Sequence, residues 1–244
     1  MNCLAESIGL ALPYNGTIPA VHASRIRLAK DAGNKVVELL DKNLLPRDII
    51  NEKSLHNAIT ADMALGCSTN TVLHLPAVFS EAGYSLGLDL FDQISQKTPN
   101  LCRLSPAGKD HIQDLHRAGA IPAVLKELAN HDLLYLDTLT VTGKTLGQNL
   151  QDPKIKVLDR TIIRSCDQPF SLRGGIAILR GNLAPEGAVV KQSGVDEKMM
   201  VQEARARTYN SEEEAVQAIL SGKINKNEVL VIRYEGPRGG PGMR

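Results

Sequence analysis

No charge of either sign dominates this 244-residue sequence: 28 Lys and Arg stand against 27 Asp and Glu, a formal +1. That balance gives no electrostatic footprint for nucleic acid or for an anionic membrane. No apolar run approaches the ~18 residues that mark a membrane-spanning helix. The opening MNCLAESIGLALP lacks a basic start and carries Glu6, so it does not read as a signal peptide, and the expected compartment is cytoplasmic. Cysteine is sparse and scattered, at Cys3, Cys67, Cys102 and Cys166, with no CxxC pair. A disulfide framework does not fit that pattern. Nor do these four offer the local ligand pairs of a cysteine metal site, so each reads as a small apolar side chain. Internal repeats and low-complexity tracts are absent. What remains, 43% hydrophobic and 23% charged, is the composition of a globular chain of one large or two ordinary domains.

The first 150 residues read as helix-rich. SRIRLAKDAGNKVVELLDKN places Ile26, Leu28, Ala29, Val36, Val37, Leu39 and Leu40 at helical spacings. SLHNAITADMALG is a second amphipathic stretch, opened by Ser54 and stopped by Gly66. Further helices are expected at DLFDQISQK, at KDHIQDLHRAG, and at IPAVLKELANHDLL with Pro122 in its first turn. Leu4, Ile8 and Leu12 begin a helical pattern at the start of the chain. After about residue 150 short β-branched runs take over: IKVLDRTIIRS, GGIAILRGNLAPEGAVVKQSG and EVLVIRYEG. Asn182 to Gly187 reads as the loop of a hairpin, and Ser211 with Glu214 as a capping box. The expected class is α/β, with domains at 1–150 and 151–244.

Four stretches invite a chemical reading. VTGKT at Val141–Thr145 suggests a phosphate loop, but that loop needs a glycine where Thr138 stands, so an ordinary loop and helix start is expected. His111 and His116 are five apart and rotate away from each other on a helix, which reads as a solvated face. His22, His56, His74 and His131 stand alone and receive no role. Ser68, Thr69 and Asn70 precede an apolar helix; they either cap it or help its N–H groups attract an anion. EGPRGGPGMR, closing the chain, is either a tail or one wall of a site. Its glycines permit close backbone approach, and Arg238 is suited to a carboxylate or phosphate.

Taken together, MNCLAESIGLALPYNGTIPA, LGCSTNTVLHLPA, PNLCRLSPAGKDHIQDLHRAG, LTVTGKTLGQNL, GGIAILRGNLAPEGAVVKQSGV and VLVIRYEGPRGGPGMR closely resemble the dihydroxy-acid dehydratase family. Its relatives include 6-phosphogluconate and sugar-acid dehydratases. The similarity runs the whole chain, with one departure: Cys67 stands where the family usually has a second glycine. The resemblance implies dehydration of a 2,3-dihydroxy acid to a 2-oxo acid, as in valine and isoleucine biosynthesis, by a homodimer. It implies an iron–sulfur cluster (2Fe-2S or 4Fe-4S) held by three cysteines, a Mg2+ site of carboxylates and a modified lysine, and a serine base.

Carried over residue by residue, the same resemblance assigns no cluster cysteine, metal ligand or catalytic serine to this chain. It places the cluster cysteines before Met1, a metal-binding glutamate directly after Arg244, and the serine beyond it. The chain therefore reads as an internal fragment, with an α/β cluster-binding part followed by an incomplete swivel-type β-barrel, and as inactive alone. Within it, the implied neighbours of substrate and metal are Glu235, Arg238, Gly239 and Gly240 in one loop and Ser68, Thr69 and Asn70 in another. A phosphogluconate-type dehydratase and a non-catalytic partner-binding fragment are the alternatives.

Overall fold

The structure, a computed structural model, describes residues 1–236. The chain divides into two compact units, Met1–Gly194 and Val195 to the end. The described residues mix helices with a few short strands, which is the α/β class read from the sequence. No helix among them is long and apolar enough to cross a membrane.

In the first unit, α1 (Asn2–Ile8) buries Leu4 and Ile8. It ends at Gly9, whose φ of 98° turns the chain into the left-handed region. The helical pattern that the sequence extended to Leu12 is thereby cut short. The helix α2 (Ala23–Asp41) forms where its periodicity indicates, yet none of its residues is buried. After the single turn α3 (Pro46–Ile49) comes α4 (Glu52–Leu65), the centre of the core. Its start lies at Asn51, not at Ser54 as the sequence reading had it. The Asn51 side chain accepts from Ser54 N at 3.0 Å while Asn51 N donates to Ser54 Oγ at 2.9 Å, so Ser54 is the inner member of the capping box. Around α4 lie α5 (Thr71–Glu81), α6 (Leu88–Lys97), α7 (Ile112–Ala118), α8 (Ala120–Ala129) and α9 (Leu146–Leu150). Ile59, Met63, Leu75, Phe79, Phe91, Leu115, Ile121 and Leu128 are fully buried among them.

Two strands complete this unit. β1 (Ala177–Leu179) and β2 (Ala188–Val190) pair antiparallel in the register Ala177–Val190, Ile178–Val189, Leu179–Ala188. The hairpin loop falls at Asn182–Gly187, as its composition indicates. The run Ile155–Ser165, by contrast, forms no strand. Its backbone bonds go to unrelated partners: Leu158 N to Ala118 O, Ile163 N to Asp159 O, Arg164 N to Leu101 O. Ile155 and Ile163 are still buried, so the apolar signal was real, but the backbone bonds of the run build no ladder.

In the second unit β3 (Arg205–Tyr209) and β4 (Glu228–Ile232) pair parallel, from Arg205–Glu228 to Tyr209–Ile232. A parallel pair needs a crossover, and α10 (Glu212–Leu220) supplies it, burying Ala215 and Ala218. Ser211 Oγ accepts from Glu214 N at 3.2 Å, but the Glu214 carboxylate reaches back to Asn210 N. The described strands form two-stranded sheets and no closed barrel.

Candidate active-site loop

The loop between α4 and α5 gathers the most unusual polar chemistry among the described residues. Gly66 ends α4 at φ 58°, and a β-carbon on the facing Gly175 would lie 2.3 Å from Gly66 Cα. Both positions therefore require glycine. Cys67 carries no positive φ, and its half-buried side chain packs against the core. The family's second glycine is thus replaced without a left-handed penalty.

No side chain caps α5. Its first donors are met by the preceding turn: Thr71 N by Ser68 O, Val72 N by Thr69 O and Leu73 N by Asn70 O, at 3.0, 3.2 and 3.1 Å. Ser68 Oγ instead accepts from Asn70 N at 3.2 Å. Neither sequence-level alternative, capping by side chains or free helix-start donors, describes this loop.

Beneath it Asp62 is wholly buried. Thr71 Oγ1 lies 2.7 Å from Asp62 Oδ2 and 2.8 Å from Ser68 O, two acceptors for one hydroxyl proton. A protonated Asp62 resolves the conflict, donating to Thr71 while Thr71 donates to Ser68. Burial acts in the same direction, pushing the Asp62 carboxyl up to about 7 against the opposing pull of hydrogen bonds from Thr71 and Cys67. Asp62 Oδ1, Asn70 Oδ1, Asn100 Oδ1 and Ser193 Oγ are all buried without a hydrogen-bond partner. Ser193 Oγ and Asn100 Nδ2 both stand within 3.2 Å of where a Gly66 β-carbon would sit. Of the four unpaired atoms, three are carbonyl or carboxyl oxygens, and the fourth is a hydroxyl that can donate or accept.

The remaining sequence-level candidates lie elsewhere. Glu235 belongs to the second unit, where its carboxylate accepts from Glu212 N at 2.9 Å and so caps the positive end of α10. Arg238, Gly239 and Gly240 lie outside the described residues.

Residues 1–149 match the N-terminal domain of the dihydroxy-acid/6-phosphogluconate dehydratases, and residues 161–244 match the C-terminal domain. The chain belongs to that dehydratase family. Relatives named dihydroxy-acid dehydratase, from Nitratidesulfovibrio vulgaris strain Miyazaki F and from Solidesulfovibrio magneticus, are each 64% identical over all 244 residues. One from Acetivibrio thermocellus is 58% identical over the same span. The chain covers 44% of the length of each of these relatives.

The cofactors expected of a dehydratase of this family can be set against the donors present. An iron–sulfur cluster needs several thiolates together. Burial raises the thiols of Cys3 (to about 11), Cys67, Cys102 and Cys166 (to about 12). Among the described residues, the one grouping of three metal-capable side chains is Glu127, His131 and Cys166, with a single sulfur. That set fits neither a three-cysteine cluster nor an all-oxygen Mg2+ site.

Sequence reasoning passed over His131 as solitary, although Glu127 four residues earlier was visible; Cys166 is brought in only by the fold. His116 is not simply solvated either. It is half-buried, its Nδ1 is 3.0 Å from Thr17 Oγ1, and its ring meets Tyr14 and His22 edge-on. Asp62, Asn100 and Ser193 carried no motif signal, because their unpaired atoms appear only once α4, the Asn100 segment and the turn after β2 are brought together.

Proposed function

We propose that this chain forms part of a dihydroxy-acid dehydratase, a hydro-lyase converting 2,3-dihydroxy-3-methylbutanoate to 3-methyl-2-oxobutanoate and water in valine and isoleucine biosynthesis. The observation that carries the reading is the unbroken match at 64% identity over every residue of the chain to proteins of that name. The two family domains, in order, support assigning 1–150 to the cluster-binding domain and 151–244 to the swivel domain. The enzyme is expected to be a cytoplasmic homodimer.

The chemistry must remove a weakly acidic C2 proton and help a poorly leaving hydroxide depart. In the family an iron–sulfur cluster and Mg2+ supply that electrostatic help. The described donors of this chain do not form either site, so its contribution is to shape and orient. We place Ser68, Thr69 and Asn70 beside the substrate. Glu235, Arg238, Gly239 and Gly240 are proposed to border the metal.

A chimera tests this directly, with these 244 residues replacing the matching segment of the N. vulgaris enzyme. The chimera is expected to dehydrate 2,3-dihydroxy-3-methylbutanoate. The 244-residue chain alone is expected to show no turnover and to take up no stoichiometric iron and sulfide on anaerobic reconstitution. A folded chimera that is inactive, or active only on 6-phosphogluconate, would overturn the proposal.

A further inference from the structure

Outside the loop just described, three donor types converge at the end of α8. Glu127 is buried on α8, His131 follows four residues later just beyond the helix, and Cys166 arrives from the segment that runs back across it. One ligand atom from each lies within 4.8 Å of the other two. His131 Nδ1 is 3.1 Å from Glu127 O. A carbonyl oxygen only accepts, so Nδ1 carries a proton and Nε2 is the nitrogen left to bind a metal, once the proton that Glu127 O and Asp167 favour on the ring is released. This is how a metal-ligating histidine is usually oriented. Nε2 in turn faces Asp167 Oδ1 at 3.6 Å.

We propose that Glu127, His131 and Cys166 form a binding site for a divalent transition metal, with Zn2+ the best fit. One nitrogen, one sulfur and one carboxylate oxygen suit the borderline softness of zinc and its indifference to mixed ligands. Zinc bond lengths set tetrahedral donor pairs roughly 3.3–3.8 Å apart, so the present spacing closes with small side-chain shifts. Glu127 Oε1 already accepts from Cys166 N at 3.1 Å, and two further groups oppose binding but can yield. Arg160 Nη1 now pairs with Glu127 Oε2 at 2.8 Å, but its side chain is 55% exposed and can withdraw into water. The Cys166 thiol, held protonated by burial and by the Glu127 and Asp167 charges, releases its proton to solvent when a dication replaces them as its strongest neighbour. Bound there, the metal would tie the end of α8 to the Cys166 segment. The site is separate from the dehydratase reading and stands or falls without it.

Titration of the 244-residue chain with Co2+, then displacement by Zn2+, tests the site. One equivalent of Co2+ is expected to give tetrahedral d–d absorption with a thiolate charge-transfer band. Cys166→Ser is expected to abolish that band, and His131→Ala to weaken Zn2+ binding at least ~10-fold, while His22→Ala changes neither. In the unsubstituted chain, Zn2+ is expected to slow alkylation of Cys166 at least ~10-fold, as followed by peptide mass mapping, and this readout needs no variant to fold. Absence of the charge-transfer band, its persistence in Cys166→Ser, or alkylation of Cys166 unaffected by Zn2+ would each overturn the proposal and leave a His131–Asp167 ion pair.

Discussion

Helices α4 and α2 start from the same kind of sequence, an amphipathic stretch with apolar residues three and four apart, and end in opposite surroundings. Of the 14 residues of α4, 11 are buried; of the 19 in α2, none is. The two are held differently. In α4 small residues, Ala58, Ala61 and Ala64, alternate with Leu55, Ile59 and Met63, which lets α1, α6 and α8 approach closely. The attachment of α2 is polar and local. Arg25 near its start bonds Asn15 Oδ1 and Asn15 O at 2.9 Å and Ile18 O at 2.5 Å. Beyond that clamp, α2 overhangs a groove of about 490 Å³ lined by Leu10, Leu12, Leu28, Val36, Leu39 and Val141. Ile26, Val37 and Leu40 face outward at 57–77% exposure. Periodicity thus decides that a helix forms; what covers its face depends on residues far away in the chain.

The contrast can be broken at several points. The largest effect is expected from Ile59→Ala in α4, which empties a fully buried site and should cost about 2–5 kcal/mol in urea unfolding. A loss below ~1 kcal/mol would mean that α4 is not the centre of the core.

Next comes pH. Burial raises both Glu6, which accepts from Tyr14 N and Gly16 N, and Asp62 to about 7, from ordinary values near 4.5 and 3.8. The folded state therefore binds these protons more tightly than the unfolded chain. Their stabilising contribution is complete below about pH 4 and is lost as pH rises towards 7, then levels off. The urea midpoint should accordingly be higher at pH 5 than at pH 8, and Asp62→Asn should flatten part of that slope. A midpoint that rises over this range would contradict the burial of the two carboxyls.

Arg25→Ala should release α2 with a smaller loss, about 1–2 kcal/mol, seen first as faster amide hydrogen exchange confined to Ala23–Asp41. Exchange spreading into α4 would show that the two helices form one cooperative unit. The smallest effect is expected from Val37→Ala, within ~0.5 kcal/mol of the parent by the same urea assay. A cost above 1 kcal/mol would reveal a buried contact for that face.

Much of this arrangement was legible before the structure. α2, α6 and α10 lie where their periodicity places them, α8 ends at Ala129 short of the expected Leu134, and the hairpin loop falls on its Asn182–Gly187 signal. The misreadings share a cause. Ile155–Ser165 has the composition of a strand but its backbone bonds build no ladder, and Ser54 is an N-cap type whose place is taken by Asn51. In both, the local preference was genuine and the groups that the fold supplied as partners decided its use. The site divides the same way. Ser68, Thr69 and Asn70 were visible as a polar loop, whereas the unpaired oxygens of Asp62, Asn100 and Ser193 were not.

The sequence by itself determined the family, the helices and the turn chemistry, because each rests on residues close together in the chain or on long collinear motifs. Tertiary structure alone decided which amphipathic face is buried, why the pKa of the Asp62 carboxyl is raised, and that Cys166 meets Glu127 and His131. Those outcomes depend on desolvation and on distances between residues up to about a hundred positions apart, and neither is written in local spacing.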